Sequence, residues 1–364
     1  MSIQEQEVLR ALAGVRDPET GADFVAGKQV RDLRIADGQV SFAVELGYPA
    51  QSQLAALQQA LEAAVRAVPG VTGVAARVHC KIIAHAAQRG LQLLPGVKNI
   101  IGVASGKGGV GKSTVAANLA LALATEGART GLLDADIHGP SQHLMMGLQG
   151  QRPESADGKN MIPLRNHGVQ VMSIGFLVEQ DQALIMRGPM ASQAMDQLLR
   201  QTAWEDLDYL LVDLPPGTGD IQLTLSQRTP LTGALIVTTP QDIALIDARR
   251  AVAMFHKVDV PVLGLVENMA VYCCPQCGHA EHIFGADGGK KMAEELGIAY
   301  LGALPLSRAI REQADSGCPT VAADPASEAA AIYRSVARRL AVSIAGKAKD
   351  FSSKLGAIAV VQEN

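Results

Sequence analysis

In "NIIGVASGKGGVGKSTVAANLALALATEG", residues 99–127, an apolar run, a glycine-rich turn and a helical pattern follow without a break. Few folds accept that order. The apolar run reads as a buried strand, and Val115, Leu119 and Leu123 recur at helical spacing on one face. A strand that feeds a helix through G-x-x-x-x-G-K-[ST] is the setting in which such a turn cradles phosphate. Glycines leave the backbone N–H groups unobstructed, and the helix N-terminus adds positive dipole. Gly106, Lys107, Gly108, Gly109, Val110, Gly111, Lys112, Ser113 and Thr114 are therefore the candidate cradle for ATP. Within it Lys112 is placed to reach the β and γ phosphates, and the Ser113 hydroxyl to bind Mg²⁺.

The rest of the chain agrees with that start. From Asn99 onward short continuous apolar runs alternate with helical stretches: "TGLLDAD", "YLLVDLPP", "GALIVTTP", "VPVLGLVENM" and "AYLGALPL". Such alternation signals βαβ units, and hence an α/β fold whose mostly parallel sheet is covered by helices on both faces. Residues 1–80 follow another rhythm, helix–strand–strand–helix–strand, which predicts a small α+β domain ahead of it. Residues 81–98, with Pro95 and Gly96, read as a linker, 99–345 as the ATPase domain and 346–364 as a tail expected to be disordered.

Charge and hydropathy exclude other classes. Lys plus Arg number 32 against 36 Asp plus Glu, a net −4 that gives no reason to expect a nucleic-acid partner. The N-terminal stretch is polar and acidic, so no signal peptide is expected, and no apolar run approaches the length of a membrane span. The tail places Phe351, Leu355 and Ile358 at helical spacing beside lysines, but it is short and Ser-rich, so no stable membrane association is expected. A cytoplasmic chain follows, in which five cysteines suit metal or redox chemistry better than disulfides.

Two further motifs complete a hydrolytic site. In "GLLDADIHGPS", Asp134 and Asp136 close the second apolar run, at the strand end where ligands of open α/β sheets collect. Asp136 is the candidate for orienting the attacking water; Asp134 either joins the Mg²⁺ shell or caps the following turn. In "YLLVDLPPGTGD", Asp213 is expected to hold Mg²⁺ through water, and Gly217 to turn its N–H toward the γ-phosphate. Lys107 lies outside the minimal phosphate pattern and can extend toward the phosphates of a facing subunit.

"VENM" reads as the end of a later strand, and immediately after it stands "AVYCCPQCGHAEHIFG", in which Cys274 and Cys277 form a CxxC pair with Pro275 and Gly278 in the turn. One pair supplies two sulfurs where a closed site takes four ligands. Two facing subunits could pool their pairs around a bridging 4Fe-4S cluster, or His279 and His282 could close an intrachain zinc site. Cys273 diverges from its neighbour, and Cys80 and Cys318 stand alone as small apolar fillers.

The combination of "GKGGVGKST", "GLLDADIHGPS", "LLVDLPPGTGD", "VENM" and "CPQCGH" resembles the Mrp/ApbC-type iron–sulfur cluster carrier ATPases, relatives of MinD and ParA, over residues 95–340. "VRDPETG" resembles the small iron–sulfur assembly domain often fused to them. The resemblance implies a homodimer in which Lys107 contacts nucleotide across the interface and takes part in catalysis with Lys112, Asp136 and Asp213. It also implies that Asn268 pairs with the adenine edge, and that Cys274 and Cys277 bind a labile 4Fe-4S cluster. That cluster would come from the assembly machinery and pass to apo iron–sulfur proteins at the expense of ATP. A MinD/ParA-like positioning ATPase and a zinc-stapled ATPase are the competing readings.

Overall fold

The computed structural model describes residues 3–87, 91, 94–155, 157–178 and 188–347. Of the linker, residues 88–90, 92 and 93 lie outside it, as do residues 348–364 of the tail.

The N-terminal unit holds α1 (Glu5–Ala13), β1 (Val30–Ala36), β2 (Gln39–Leu46), α2 (Leu54–Arg66) and β3 (Gly73–Cys80). Asp37 and Gly38, both at positive φ, make the tight turn that pairs β1 with β2 antiparallel. A right-length crossover through α2 then lays β3 parallel to β2. Leu57, Leu61 and Val65 of α2 and Val8 and Leu12 of α1, spaced at helical intervals, supply the helical side of its core.

The second unit begins with β4 (Ile100–Ala104), α3 (Lys112–Thr125), β5 (Thr130–Asp134), α4 (Gln142–Met145), β6 (Leu164–Asn166), β7 (Val169–Ser173) and α5 (Gly188–Arg200). It continues with β8 (Tyr209–Asp213), α6 (Asp220–Arg228), β9 (Gly233–Thr238), α7 (Asp242–Lys257), β10 (Val262–Cys273) and β11 (Ala280–Glu281). Last come α8 (Gly288–Leu296), β12 (Tyr300–Leu306), α9 (Arg308–Asp315), α10 (Thr320–Ala323) and α11 (Glu328–Ala345). The strand order is β11-β10-β9-β4-β8-β5-β7-β6, with β12 also on β10; only β6 and β11 run antiparallel to their neighbours. Every residue of β4, β5, β8 and β9 is buried, as continuous apolar runs in a two-sided sheet should be. Helix α3 is buried on all faces from Val115 to Leu123, between the sheet and α11. Its carboxyl-terminal end meets the small domain.

Two features differ from the sequence expectation. Strand β7 is not announced by periodicity, because Gln170 interrupts its apolar run; buried, its amide exchanges two hydrogen bonds with the Glu205 backbone, at 2.9 and 3.0 Å. And "VENM" does not end a strand: β10 runs on through it to Cys273, with Met269 at φ 57° where the pairing register slips. Among the described residues no helix is long and apolar enough to cross a membrane.

Candidate functional site

The turn between β4 and α3 gathers the predicted cradle at the carboxyl end of the central strand, flanked by β8 and β9. Gly111 caps α3 at φ 81°, and a Cβ there would lie 2.3 Å from the Asn268 Nδ2. Glycine is thus demanded twice, by conformation and by close approach. The Asn268 amide donates to the Val110 carbonyl at 2.8 Å, which ties β10 to the loop. At Gly106 a Cβ would come within 2.1 Å of the Asp247 carbonyl, so the loop packs directly on α7. Gly108 and Gly109 face open space instead, which is the shape a cradle for phosphate oxygens needs. Lys107 is exposed, its carbonyl held by Ser105 Oγ at 2.8 Å, and among the described residues no carboxylate pairs with its ammonium.

Beneath the loop the charged groups converge. Lys112 donates to Asp213 Oδ1, both side chains buried, and its Nζ stands 3.5 Å from Ser113 Oγ. The ammonium therefore sits between the two oxygens assigned to Mg²⁺. A carboxylate and a hydroxyl flanking a cation are hard oxygen donors, the set that Mg²⁺ uses together with water and phosphate, so these residues fit that ion. Gln142 donates from Nε2 to Asp213 Oδ2 at 2.8 Å and to the Ser113 carbonyl at 3.0 Å. Sequence reasoning passed over Gln142; its only signal is a polar residue opening a short helix just after "DIHGPS".

Asp134 is fully buried and saturated. Its carboxylate accepts from the N–H groups of Ser141, Gln142 and Asp136 and from Ser173 Oγ, at 2.9 to 3.2 Å. These are the bonds of a loop organiser, the cap alternative. Desolvation, reinforced by the Asp213 charge, pushes its carboxyl upward against the Gln142, Ser173 and Ser141 donors. Asp136 is half-buried, and desolvation raises its carboxyl too, with Lys112 opposing and Asp213 reinforcing. The Gly217 N–H is given to the Ser105 carbonyl at 3.0 Å, so for it to meet a γ-phosphate this bond has to open.

A cavity of about 190 Å³ lies on the other side of Gly111, walled by Thr114, Asn268, Pro305, Leu306 and Arg311. The β12–α9 corner was not foreseen as part of the site. Nothing short of the tertiary fold brings "PLSR" next to "VENM", because β12 pairs beside β10 only through the crossover of α8.

The cysteines sit at the tip of the β10–β11 hairpin. Cys273 pairs with Ala280 in the ladder, and Cys274 to His279 form the loop, closed by Cys274 N–H to the His279 carbonyl and Gly278 N–H to the Cys274 carbonyl, each 2.9 Å. Backbone N–H groups of Cys277 and Gln276 point at the Cys274 sulfur, and with the Cys277 thiol they hold its pKa below the ordinary thiol value. Cys277 is exposed and Cys274 half-exposed, so both sulfurs can meet a partner. The histidines do not join them: His282 Nδ1 lies 2.7 Å from the Ala270 carbonyl, and among the described residues no three His, Cys, Asp or Glu side chains are grouped to hold a metal ion. Cys80 and Cys318 lie apart from this loop, half-buried.

The small domain is clamped to the back of this machinery. Arg338 of α11 reaches Glu19 at 2.5 Å and Glu126, at the end of α3, at 2.7 Å. The Ser52 N–H and hydroxyl also bond Glu126, at 2.7 to 2.9 Å.

The chain is similar to known proteins over most of its length. Residues 96–341 match the family model described as NUBPL iron-transfer P-loop NTPase, and residues 5–78 match that of an iron–sulfur cluster assembly protein. The iron–sulfur cluster carrier protein of Haemophilus influenzae is 44% identical over 341 residues, 94% of this chain and 92% of that protein. The mouse iron–sulfur cluster transfer protein NUBPL is 54% identical over 246 residues, 67% of this chain and 77% of its own length. Among solved structures, the nucleotide-binding protein of Archaeoglobus fulgidus in complex with ADP aligns at a TM-score of 0.55 and 37% identity, over 61% of this chain and 87% of that one. The cell-division ATPase MinD of Pyrococcus furiosus aligns at 0.52 and 23%, over 66% and 98%, a likeness of fold.

Proposed function

The chain belongs to the NUBPL iron-transfer P-loop NTPase family, and on that premise we propose that it is an ATP-dependent carrier of 4Fe-4S clusters. It works as a homodimer that receives a cluster from the assembly machinery and delivers it to apo iron–sulfur proteins in the cytoplasm. The observation that carries this reading is the CxxC hairpin: two accessible sulfurs, amides already aimed at one of them, and no third ligand grouped with them among the described residues. Four thiolates are what a 4Fe-4S cluster takes, and a second copy supplies the missing pair.

The nucleotide side follows from the charged centre. ATP binds with its phosphates against the open faces of Gly108 and Gly109, and its adenine in the cavity bounded by Asn268 and Pro305. Asp213 and Ser113 hold Mg²⁺, which supplies charge neutralisation on the phosphates. Lys112 exchanges its carboxylate partner for the phosphates, Asp136 orients the attacking water and Lys107 crosses to the partner's nucleotide. Coupling has a short route: Asn268 and Cys273 are on one strand, β10, which leads directly into the cysteine loop. Closure around ATP and its release on hydrolysis then change the spacing of the two cysteine pairs.

The positioning-ATPase alternative has no use for the hairpin, and among the described residues of one chain no group of ligands is assembled for a closed zinc site. Anaerobic reconstitution with iron and sulfide tests the reading. Broad visible absorption that Cys274→Ala and Cys277→Ala each abolish supports it, and a colourless, tightly held zinc ion refutes it.

A further inference from the structure

Asp213 is a buried carboxylate whose two oxygens are treated differently. Oδ1 faces the Lys112 ammonium, while Oδ2 accepts from the neutral amide of Gln142 at 2.8 Å. Gln142 is itself wholly buried, and it binds three separate motifs. The same Nε2 donates to the Ser113 carbonyl at 3.0 Å, and its backbone N–H donates to Asp134 Oδ2 at 3.0 Å. Its Oε1 has no partner among the described residues. A buried acceptor left unpaired costs stability that an apolar side chain of like shape would recover, so the useful part of this amide is its donor.

We propose that Gln142 is a positioning residue for the metal-dependent step: by holding Oδ2 of Asp213 against the loop, it keeps Oδ1 turned toward Ser113, where Mg²⁺ belongs. A carboxylate free to rotate would present either oxygen, or both, and would lose alignment with the hydroxyl across the site. Gln142 also links that alignment to the Asp134 loop, so a shift of the 134–142 segment is felt at the metal position. This rests on the nucleotide reading above.

The test is ADP binding to the full chain by calorimetry, with Mg²⁺ and with EDTA in its place. In Gln142→Met, which keeps the shape and removes the orphan acceptor, the tightening that Mg²⁺ gives is expected to fall tenfold or more. Affinity in EDTA is expected to stay within twofold of the wild type. Gln142→Asn keeps a donor one methylene short of spanning both acceptors, and an intermediate loss is expected; it also serves if the methionine variant fails to fold. An undiminished Mg²⁺ effect in both variants overturns the proposal, as does an equal loss with and without Mg²⁺, which would mean a packing role. If the wild type itself shows no Mg²⁺ effect on ADP binding, the nucleotide reading fails first and this inference with it.

Discussion

Lys112 donates its ammonium to Asp213 Oδ1 across the floor of the loop, joining the first turn of α3 to the end of β8 with both side chains out of water. The pair makes each residue depend on the other. Lys112→Met strands a buried carboxylate, which costs about 3–5 kcal/mol in a pair of this kind. Urea unfolding without nucleotide should register that loss, and Asp213→Asn added to Lys112→Met should return most of it. ATP hydrolysis is expected to be abolished in the single and the double variant alike, so stability and activity separate.

Arg338 neutralises carboxylates from two domains at once, Glu19 and Glu126, with all three side chains largely buried. Arg338→Ala leaves two acidic groups facing each other in a poor solvent for charge. It is expected to loosen the small domain from α3 and α11. Limited proteolysis should then cut near residues 81–98 faster by an order of magnitude, while Glu19→Gln and Glu126→Gln introduced together restore resistance. Equal cleavage of wild type and Arg338→Ala would show that the clamp does not hold the domains.

The Cys274 thiol is held below the usual value by the N–H groups of Cys277 and Gln276 and by the Cys277 thiol. Because its pKa is lowered, the reactive thiolate persists to lower pH than that of an ordinary cysteine, and it is lost as pH falls through that lowered value. Iodoacetamide labelling of metal-free protein followed by peptide mass analysis should give a midpoint for Cys274 below about 8.5, the ordinary cysteine value. A midpoint at or above it contradicts the amide-to-sulfur geometry.

Much of the site was legible because its chemistry is local. The positive φ that Gly111 adopts and the placing of Lys112 after it belong to nine consecutive residues, and the hairpin that shapes Cys274 and Cys277 is closed by its own backbone. What escaped depends on contacts distant in sequence. Gln142 matters through Asp213, 71 positions away, and Pro305 walls the cavity at Asn268 only because β12 comes to lie on β10. Strand β7 was hidden by a polar residue, Gln170, whose amide is satisfied by a backbone 35 positions on. The continuation of β10 past Asn268 was hidden by a register slip at Met269, and it is this continuation that puts Asn268 and the cysteine loop on one strand.

The central claim is that two copies of the chain pool their Cys274 and Cys277 sulfurs around one cluster, and native mass spectrometry of the anaerobically reconstituted full chain addresses it directly. The expected species is a dimer carrying a single 4Fe-4S cluster, which reverts to bare monomers when both Cys274→Ala and Cys277→Ala are present. A monomer that keeps its own metal, whether zinc or a cluster, would contradict the account.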